Sequence, residues 1–522
     1  MIAKEEFHRK VYIYLLLLVA VSLPLSIFAS SVFQILLGIN WVAEGKFRMK
    51  LTRLKNDRAF LVFSVFYMVH IIGMIWTSDF HYGIFDLKIK LPILFLPFII
   101  ASSWDITLKE MRDILAAFII SNLIASFASI FALMNILPVE INDFRDASLF
   151  VSHIRFSLMV VLSIFFAGYL LVKDRDLSSN YMQIIYIIAL IWLPVFLVIL
   201  KSLSGIVIII ILILVLSFRL VHMVKDNVIR FMLNVLIIFI PLFAIIYISS
   251  SINKFYSFDP VIPGEIDSLT VQGNEYINLP ENKETENGHY VWIHVCPVEL
   301  EKEWEKISDY SYQGKTDNGE SLDLTLIRYL TSKGLRKDAT GVLQLTETDI
   351  RAIEQGTANY IYLRRFALYP RIYQVIWEFD RYKLGHSAND KSLIQRWFYL
   401  KAGASIAGEH LLTGVGTGDL RQAFNNYYEA TDSPLKTERR RRAHNQFLSL
   451  AIAFGIPGLA ICLAAFIVPV FINNKWSSYL AIIFLLTIGL SMLDEDTLEN
   501  TPGAVMFGLF YGLFILDRVQ KR

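Results

Sequence analysis

Residues 439–459 read RRRRAHNQFLSLAIAFGIPGL: four arginines and a histidine where a long polar stretch gives way to an apolar one. Arginine carries a permanent charge on a planar fork of donors that fits phosphate oxygens two at a time. Imidazole is the side chain best suited to take a proton from a hydroxyl near neutral pH. Set at the rim of a membrane span, Arg439, Arg442 and His444 suit an anionic, membrane-anchored substrate such as a lipid phosphate. The plainer reading is a solvated or helix-starting histidine beside arginines that neutralise lipid headgroups.

The elements that must position these groups are membrane helices. Of 522 residues, 55% are hydrophobic and only 18% charged, more apolar surface than soluble domains carry. The net charge of +2 says less than where the charges fall, and no nucleic-acid partner is expected. Of the two cysteines, Cys296 lies in polar sequence and Cys462 in apolar sequence, so neither a disulfide nor a thiolate metal site is expected. The first apolar run continues into a second without a small-residue cleavage site, so no cleavable leader is expected.

Runs long enough to cross a bilayer fall near residues 11–26, 27–43, 59–76, 88–102, 112–137, 153–172, 181–200, 203–222, 229–250, 446–473, 476–493 and 503–518. The expected fold is an all-α polytopic membrane protein of about twelve transmembrane helices. Residues 1–250 would hold helices one to nine, 251–443 a large and mainly helical loop domain, and 444–522 the last three. Basic residues set the orientation. Lys46, Arg48, Lys50, Arg53, Lys55 and Arg58 match the basic N-terminus, which demands two crossings between them, broken near Pro24. Arg112, Lys173, Arg175, Arg219, Lys225, Lys475, Arg518, Lys521 and Arg522 then fall inside. The loop 251–443 and the acidic run Asp494, Glu495, Asp496 and Glu499 fall outside, with both termini cytoplasmic. Arg155 and Lys201 stand on the outer side against this pattern. Each is a candidate anion contact or a snorkelling headgroup partner.

Within the loop, GNEYINLPENKETENGHYVW reads as strand and turn, and TETDIRAIEQG carries a helix-capping pattern. Residues 358–384, with Arg364, Arg365, Arg371 and Arg381 among aromatics, read as an amphipathic helix. It would lie on the outer leaflet or pack on the domain's own core. Gly414, Gly416 and Gly418 are spaced GxGxG with no strand before them, which argues against a nucleotide loop. They predict a tight turn before a helix capped near Thr417 or Asp419.

The order SLIQRW, HLLTGVGTGD, AHNQFLSLAIAFGIPGL and SMLDEDTLENTPGAVMFGLFYGLF, with SHIRFSLMV earlier, resembles the O-antigen ligase and polymerase superfamily. The resemblance implies a bacterial inner-membrane glycosyltransferase with one large periplasmic loop. It would pass a glycan from an undecaprenyl-diphosphate carrier to an acceptor, without nucleotide sugar, metal or other cofactor. It also implies that His444 and Arg396 carry catalysis. A further arginine usually opens the eighth span in a Ser-Arg-x-Gly context. Here KSLSG has Leu203 in that place and Lys201 two residues earlier.

A departing diphosphate gathers negative charge, and stabilising it is the largest demand on such a catalyst. The pairs Asp174/Asp176 and Asp494/Asp496 each lack a second acidic cluster, which favours arginine over a metal ion. Arg155, Lys201, Arg439 and Arg442 are the candidate diphosphate contacts. His444 is the candidate base, with Glu495 or Asp496 as the alternative. Direct displacement predicts inversion at the anomeric carbon, since no carboxylate pair suggests a covalent intermediate. Lipid A-core is the expected acceptor, as in a ligase. A polymerase extending the lipid-linked glycan is the close alternative. A lipid-linked glycan transporter, from a different class, would show internal repeats and mid-membrane ionisable residues, whereas the charges here cluster at span ends.

Overall fold

A computed structural model describes residues 2–134, 136–138, 148–173, 179–258, 266–364, 368–389 and 392–517. Asp174, Arg175, Asp176, Arg365, Arg518, Lys521 and Arg522 lie outside the described residues. The chain divides into two compact units, one of residues 1–223 with 395–522, the other of residues 224–394.

The first unit is built from helices. Before the break run α1 (Ile2–Ser22), α2 (Ile27–Glu44), α3 (Phe47–Asn56), α4 (Arg58–Ile72), α5 (Phe80–Ser102), α6 (Leu108–Leu133), α7 (His153–Lys173), α8 (Asn180–Ile199) and α9 (Leu203–Val221). The second unit contributes α10 (Asn227–Phe255), a two-stranded hairpin β1 (Thr285–Glu286) and β2 (His289–Tyr290), α11 (Pro297–Trp304), α12 (Leu322–Ser332), α13 (Ala339–Val342), α14 (Glu347–Glu354) and α15 (Leu368–Lys383). Then come α16 (Ser392–Glu409), α17 (Leu420–Ala430), α18 (Gln446–Ile472), α19 (Tyr479–Asp494) and α20 (Thr501–Tyr511), the last running on as a short π-turn to Leu516.

Eight of the described helical segments are long and apolar enough to cross a membrane: α2, α4 with its 3₁₀ extension to Trp76, α6, α7, α8, α9, α10 and α18. α19 and the α20 segment are apolar but shorter. This is the make-up of a polytopic membrane protein. The break after Ser22 falls beside Pro24, and Ser26 restarts the chain by capping the Ala29 N–H. α5 begins at Phe80, well before the expected 88, because Asp79 caps the Tyr82 N–H.

Aromatic side chains knit the first unit's centre. The Phe63 ring stacks on Tyr511 at 4.1 Å, Phe66 meets Phe466 at 4.5 Å, and Phe118 meets Phe510 edge-on at 5.0 Å. α18 is not continuous. At Gly455 the backbone has φ 68° and ψ −179°, and the helix restarts with Pro457 in its first turn. The carbonyls freed by the break are taken up by the GxGxG turn: Val415 N–H donates to Ile452 O at 2.8 Å and Gly416 N–H to Ala453 O at 2.9 Å. Leu411 O in turn accepts from Ile456 N–H at 2.8 Å. A broken helix survives in a membrane protein only where its freed groups find such partners.

In the second unit Asn287 and Gly288, both at positive φ, turn the β1–β2 hairpin. Thr346 and Asp349 form the capping box that opens α14. The expected amphipathic helix is a 3₁₀ turn over Tyr360–Leu363 followed by α15, and its Tyr373 is buried against Phe255 and Ile361 in this unit's own core. Trp304, Leu326, Tyr329, Leu330 and Ile353 form the larger core beside it.

Gly455→Ala would hold a Cβ at positive φ, 2.5 Å from the Leu412 carbonyl oxygen. It is expected to lower stability by about 1–3 kcal/mol or more, read as a reduced melting temperature of the detergent-solubilised protein. Gly489→Ala, which meets open space, should leave it unchanged or slightly raised. A pH effect is expected in the second unit. Burial alone would raise the Asp349 carboxyl, but Lys333, the Tyr329 hydroxyl and the Thr346 cap outweigh it and hold it at about 2. Its stabilisation is therefore complete above the ordinary carboxylate range and is lost as pH falls toward 2. Hydrogen-exchange protection of α12 and α14 should fall over that window, and Asp349→Asn should flatten the fall.

Candidate active site

The site is built on the loop Asp494–Asn500 between α19 and α20. Three of its four carboxylates, those of Asp494, Glu495 and Glu499, meet cations from separated parts of the first unit. Asp494 accepts from Arg396 of α16 and from the Ser204 hydroxyl at the start of α9. Glu495 accepts from Arg155 of α7 at 3.2 Å and from Arg396 at 3.3 Å, and its other contact is His444 Nδ1 at 3.5 Å. Asp496 accepts from the Ser449 hydroxyl at 2.7 Å, while its backbone oxygen accepts from Arg155 at 2.9 Å. Glu499 accepts from Lys90 at 2.8 Å, Arg442 at 3.2 Å and the Gln446 amide at 3.0 Å.

The HNQ sequence locks its own segment to this loop. Asn445 caps α18 through the Leu448 N–H at 3.0 Å and donates its amide to Leu493 O at 2.9 Å. The Gln446 oxygen accepts the Leu498 N–H at 2.8 Å. Between these anchors and the arginine run, His444 is held at φ 50°, a left-handed conformation that costs a non-glycine residue free energy. Strain of this kind persists only where the surroundings over-determine it, and it clusters at functional sites.

The loop's electrostatics follow from these contacts. Burial would raise Glu495, but the His444 contact and the charges of Arg155 and Arg396 outweigh it and leave its pKa below the ordinary value. For Asp496 burial wins over Arg442, and its pKa is raised. Glu499 is buried too, yet Lys90 and Arg442 hold it well below the usual range. Burial opposes the Arg442 charge, but Glu499 and Asp496 more than compensate.

Above the loop opens a cavity of about 540 Å³. Arg155, Arg421, Arg440, Arg441 and Arg442 line it together with His444, and against these five arginines stand Glu495, Asp496 and Glu499. Tyr82, Phe424, Asn425, Tyr428, Thr437 and Asn500 complete the wall. Arg155 is only 8% exposed, and its Nε has no hydrogen-bond partner among the described residues. That Nε is buried, so the part of Arg155 that lines the cavity is another part of its side chain.

Of the residues singled out from sequence, the structure brings Arg155, Arg442, His444, Glu495 and Asp496 to the cavity wall, and Arg396 stands behind it on Asp494 and Glu495. Arg439 is exposed, with its backbone oxygen accepting from the Tyr399 hydroxyl at 2.5 Å, and Lys201 is exposed at φ 52° in the non-helical turn between α8 and α9. Neither is among the residues that line the cavity. Leu203 stands where the resemblance would put the further arginine, and the next residue, Ser204, donates its hydroxyl to Asp494.

Sequence reasoning missed Lys90 and Asp86. The expectation that charges cluster at span ends does not hold in α5. Lys90 lies at that helix's midpoint, 2% exposed, bonded to Asp86 at 2.5 Å and Glu499 at 2.8 Å. The i,i+4 spacing of Asp86 and Lys90 was the available signal. The glycine turn also differs from expectation. Asp419 precedes α17 but makes no side-chain cap there. Its two oxygens accept the Ser78 and Asp79 N–H groups, each at 2.8 Å, while the Thr417 hydroxyl donates to His70 O at 2.6 Å. Gly416, at φ 99°, lets this segment lie against Gly73 and Thr77 where a Cβ would collide. The turn is thus a clasp on the α4–α5 junction.

Residues 357–463 match the family model described as O-antigen ligase. The matched stretch holds Arg396, the glycine clasp, the arginine run, His444 and the Gly455 break. It supports the O-antigen ligase superfamily and, with it, a glycosyl-processing role of ligase or polymerase type in an integral membrane protein. No curated protein matches the chain.

Lys90→Met would strand Asp86 and Glu499 without their shared cation. Removing one partner of a buried ionic pair costs about 3–5 kcal/mol, so the variant's melting temperature in detergent should fall sharply. Lys88→Met, on the exposed side of the same helix, should leave it nearly unchanged.

Proposed function

We propose that this protein is a glycosyltransferase of the O-antigen ligase type. It moves a glycan from an undecaprenyl-diphosphate carrier to lipid A-core at the periplasmic face of the bacterial inner membrane. Both termini are cytoplasmic in this reading, and residues 251–443 form the periplasmic segment. The observation that carries it is the His444–Glu495 contact at the wall of an arginine-lined cavity. A carboxylate on one ring nitrogen fixes the imidazole and leaves the other nitrogen to accept a proton.

The acceptor hydroxyl oxygen attacks the anomeric carbon, and its proton passes to His444 Nε2. The carbon–oxygen bond to the diphosphate breaks, with the electron pair leaving on the diphosphate. One displacement inverts the anomeric centre. Arg155 and Arg442, both at the cavity wall, meet the charge that develops on the leaving group, where preorganised donors act most strongly. Arg396 is a positioning residue that holds Asp494 and Glu495. The loop carboxylates are already engaged by cations and hydroxyls, which supports charge stabilisation by arginine without a metal ion. Glu495, held ionised by two arginines, is a weak base, and Asp496 is tied to Ser449, so His444 is the better acceptor of the proton. Lys201 and Arg439 have no part in this reading because neither lines the cavity.

The test is the glycolipid profile of a deletion strain complemented with wild type or variants. Full-length glycan trapped on the polyprenyl carrier, with bare lipid A-core, establishes a ligase. Single repeat units on the core establish a polymerase instead. An unchanged profile removes both and returns the transport reading. In vitro, His444→Ala should lose about 10²–10⁴-fold in rate. Arg155→Ala should lose about 10²–10³-fold, while Lys201→Ala should stay near wild type.

A further inference from the structure

Helix α17 is the shared wall of two cavities. Arg421, Phe424, Asn425 and Tyr428 face the arginine-lined cavity, and Gln422, Asn426 and Tyr427 face a second, also of about 540 Å³. Residues three and four apart lie on one helix face, so the two sets are turned away from each other. The lining also includes Ser405 and Glu409 of α16, His410 directly after that helix, and Asp419 of the glycine clasp.

The two linings differ in kind. The first carries five arginines, whereas no lysine or arginine lines the second. A phosphate entering it would meet Glu409 and Asp419 with no countercharge. The donors and acceptors present are those a polyol needs. Carboxylate and amide oxygens accept from hydroxyls, amide N–H groups donate to sugar oxygens, and the Tyr427 ring offers an apolar face to sugar C–H groups. Gln422 and Asn426 make no side-chain hydrogen bond to another described residue, so both amides have their full capacity for a ligand. Asp419 is fixed in place by the Ser78 and Asp79 N–H groups, which leaves that part of the lining preformed.

We propose that this second cleft binds an uncharged, polyhydroxylated sugar segment of a glycan. The proposal rests on the transferase reading only for the source of that sugar. A chain reacting in the first cavity would thread past α17, with its charged end among the arginines and its sugars on the opposite face.

The test is in-cell photo-crosslinking of the full-length protein in cells fed radiolabelled hexose. The photoreactive p-benzoylphenylalanine is placed at Thr431 or Ser405 in the cleft, or at exposed Asn474 beyond the far end of α18 as the control. Hexose label covalently on the chain at both cleft positions, and not at Asn474, is the expected result. Gln422→Ala with Asn426→Ala should lower the Thr431 adduct about tenfold, the loss of roughly two neutral hydrogen bonds. Label equal at the control position, or adducts to phospholipid or protein alone, would overturn the proposal. Crosslinking needs occupancy and not turnover, so the adduct should persist with His444→Ala. An adduct in cells whose glycolipid profile does not change on deletion would keep the sugar cleft while removing the transferase. A changed profile without an adduct would do the reverse.

Discussion

The pairing of one acidic loop with cations drawn from distant parts of the chain is the constraint on which the site depends. Glu495 and Glu499 are buried and would each be costly to desolvate alone, whereas Asp494 is half-exposed. They are held because Arg396, Arg155, His444, Arg442 and Lys90 converge on them from α16, α7, the α18 approach and α5. The dependence is mutual. Arg442 would be an equally costly charge at its depth without Glu499, and Lys90 at the midpoint of α5 has no reason to be ionised without Asp86 and Glu499. Such a network contributes little net stability compared with an apolar core of the same volume. What it supplies is a fixed arrangement, since each ion has few alternative places to go.

The fixed arrangement explains the local oddities around it. His444 keeps a strained backbone because Asn445 and Gln446, directly after it, are bonded to the acidic loop. The Gly455 break sits two and a half turns further along α18. It is held by the Val415 and Gly416 N–H groups, and so ties the glycine clasp to the same helix that starts at Asn445. The clasp in turn secures the α4–α5 junction from which Lys90 reaches Glu499. The family-matched stretch is thus a mechanical circuit as well as a chemical one.

Much of this was legible in the sequence because membrane helices announce themselves by length and composition, and because His444 and its arginines stand at an abrupt change of polarity. The helix starts were less legible. Hydropathy placed the fourth span at 88, but the Asp79 cap carries α5 back to Phe80, and that shift turns Lys90 from an end residue into an interior one. Its role could not be read locally, since its partner Glu499 is some four hundred positions away. The same holds for Arg396, which only the resemblance singled out, and for Ser204, whose partner Asp494 is likewise distant in the chain. At the GxGxG turn, Asp419 serves a different helix from the one it precedes. Capping rules assign a carboxylate to its own neighbours unless tertiary contacts outbid them.

The charge of the cavity argues for an anion that comes and goes. Five arginines face three carboxylates at its wall, and one of those carboxylates, Asp496, is raised by burial while the other two are committed to cations. A structural network would be expected to balance its charges and fill its donors. This one keeps an excess of guanidinium and leaves the Arg155 Nε–H without a described partner. Arg155 and Arg442 are paired with Glu495 and Glu499, and the surplus lies on exposed Arg421 and Arg441 and half-buried Arg440, where water or a ligand can share it. Because arginine does not lose its proton, the surplus cannot be relieved by titration. In the proposed reaction a dianionic leaving group would relieve it while bound, and its departure would restore the cavity for the next.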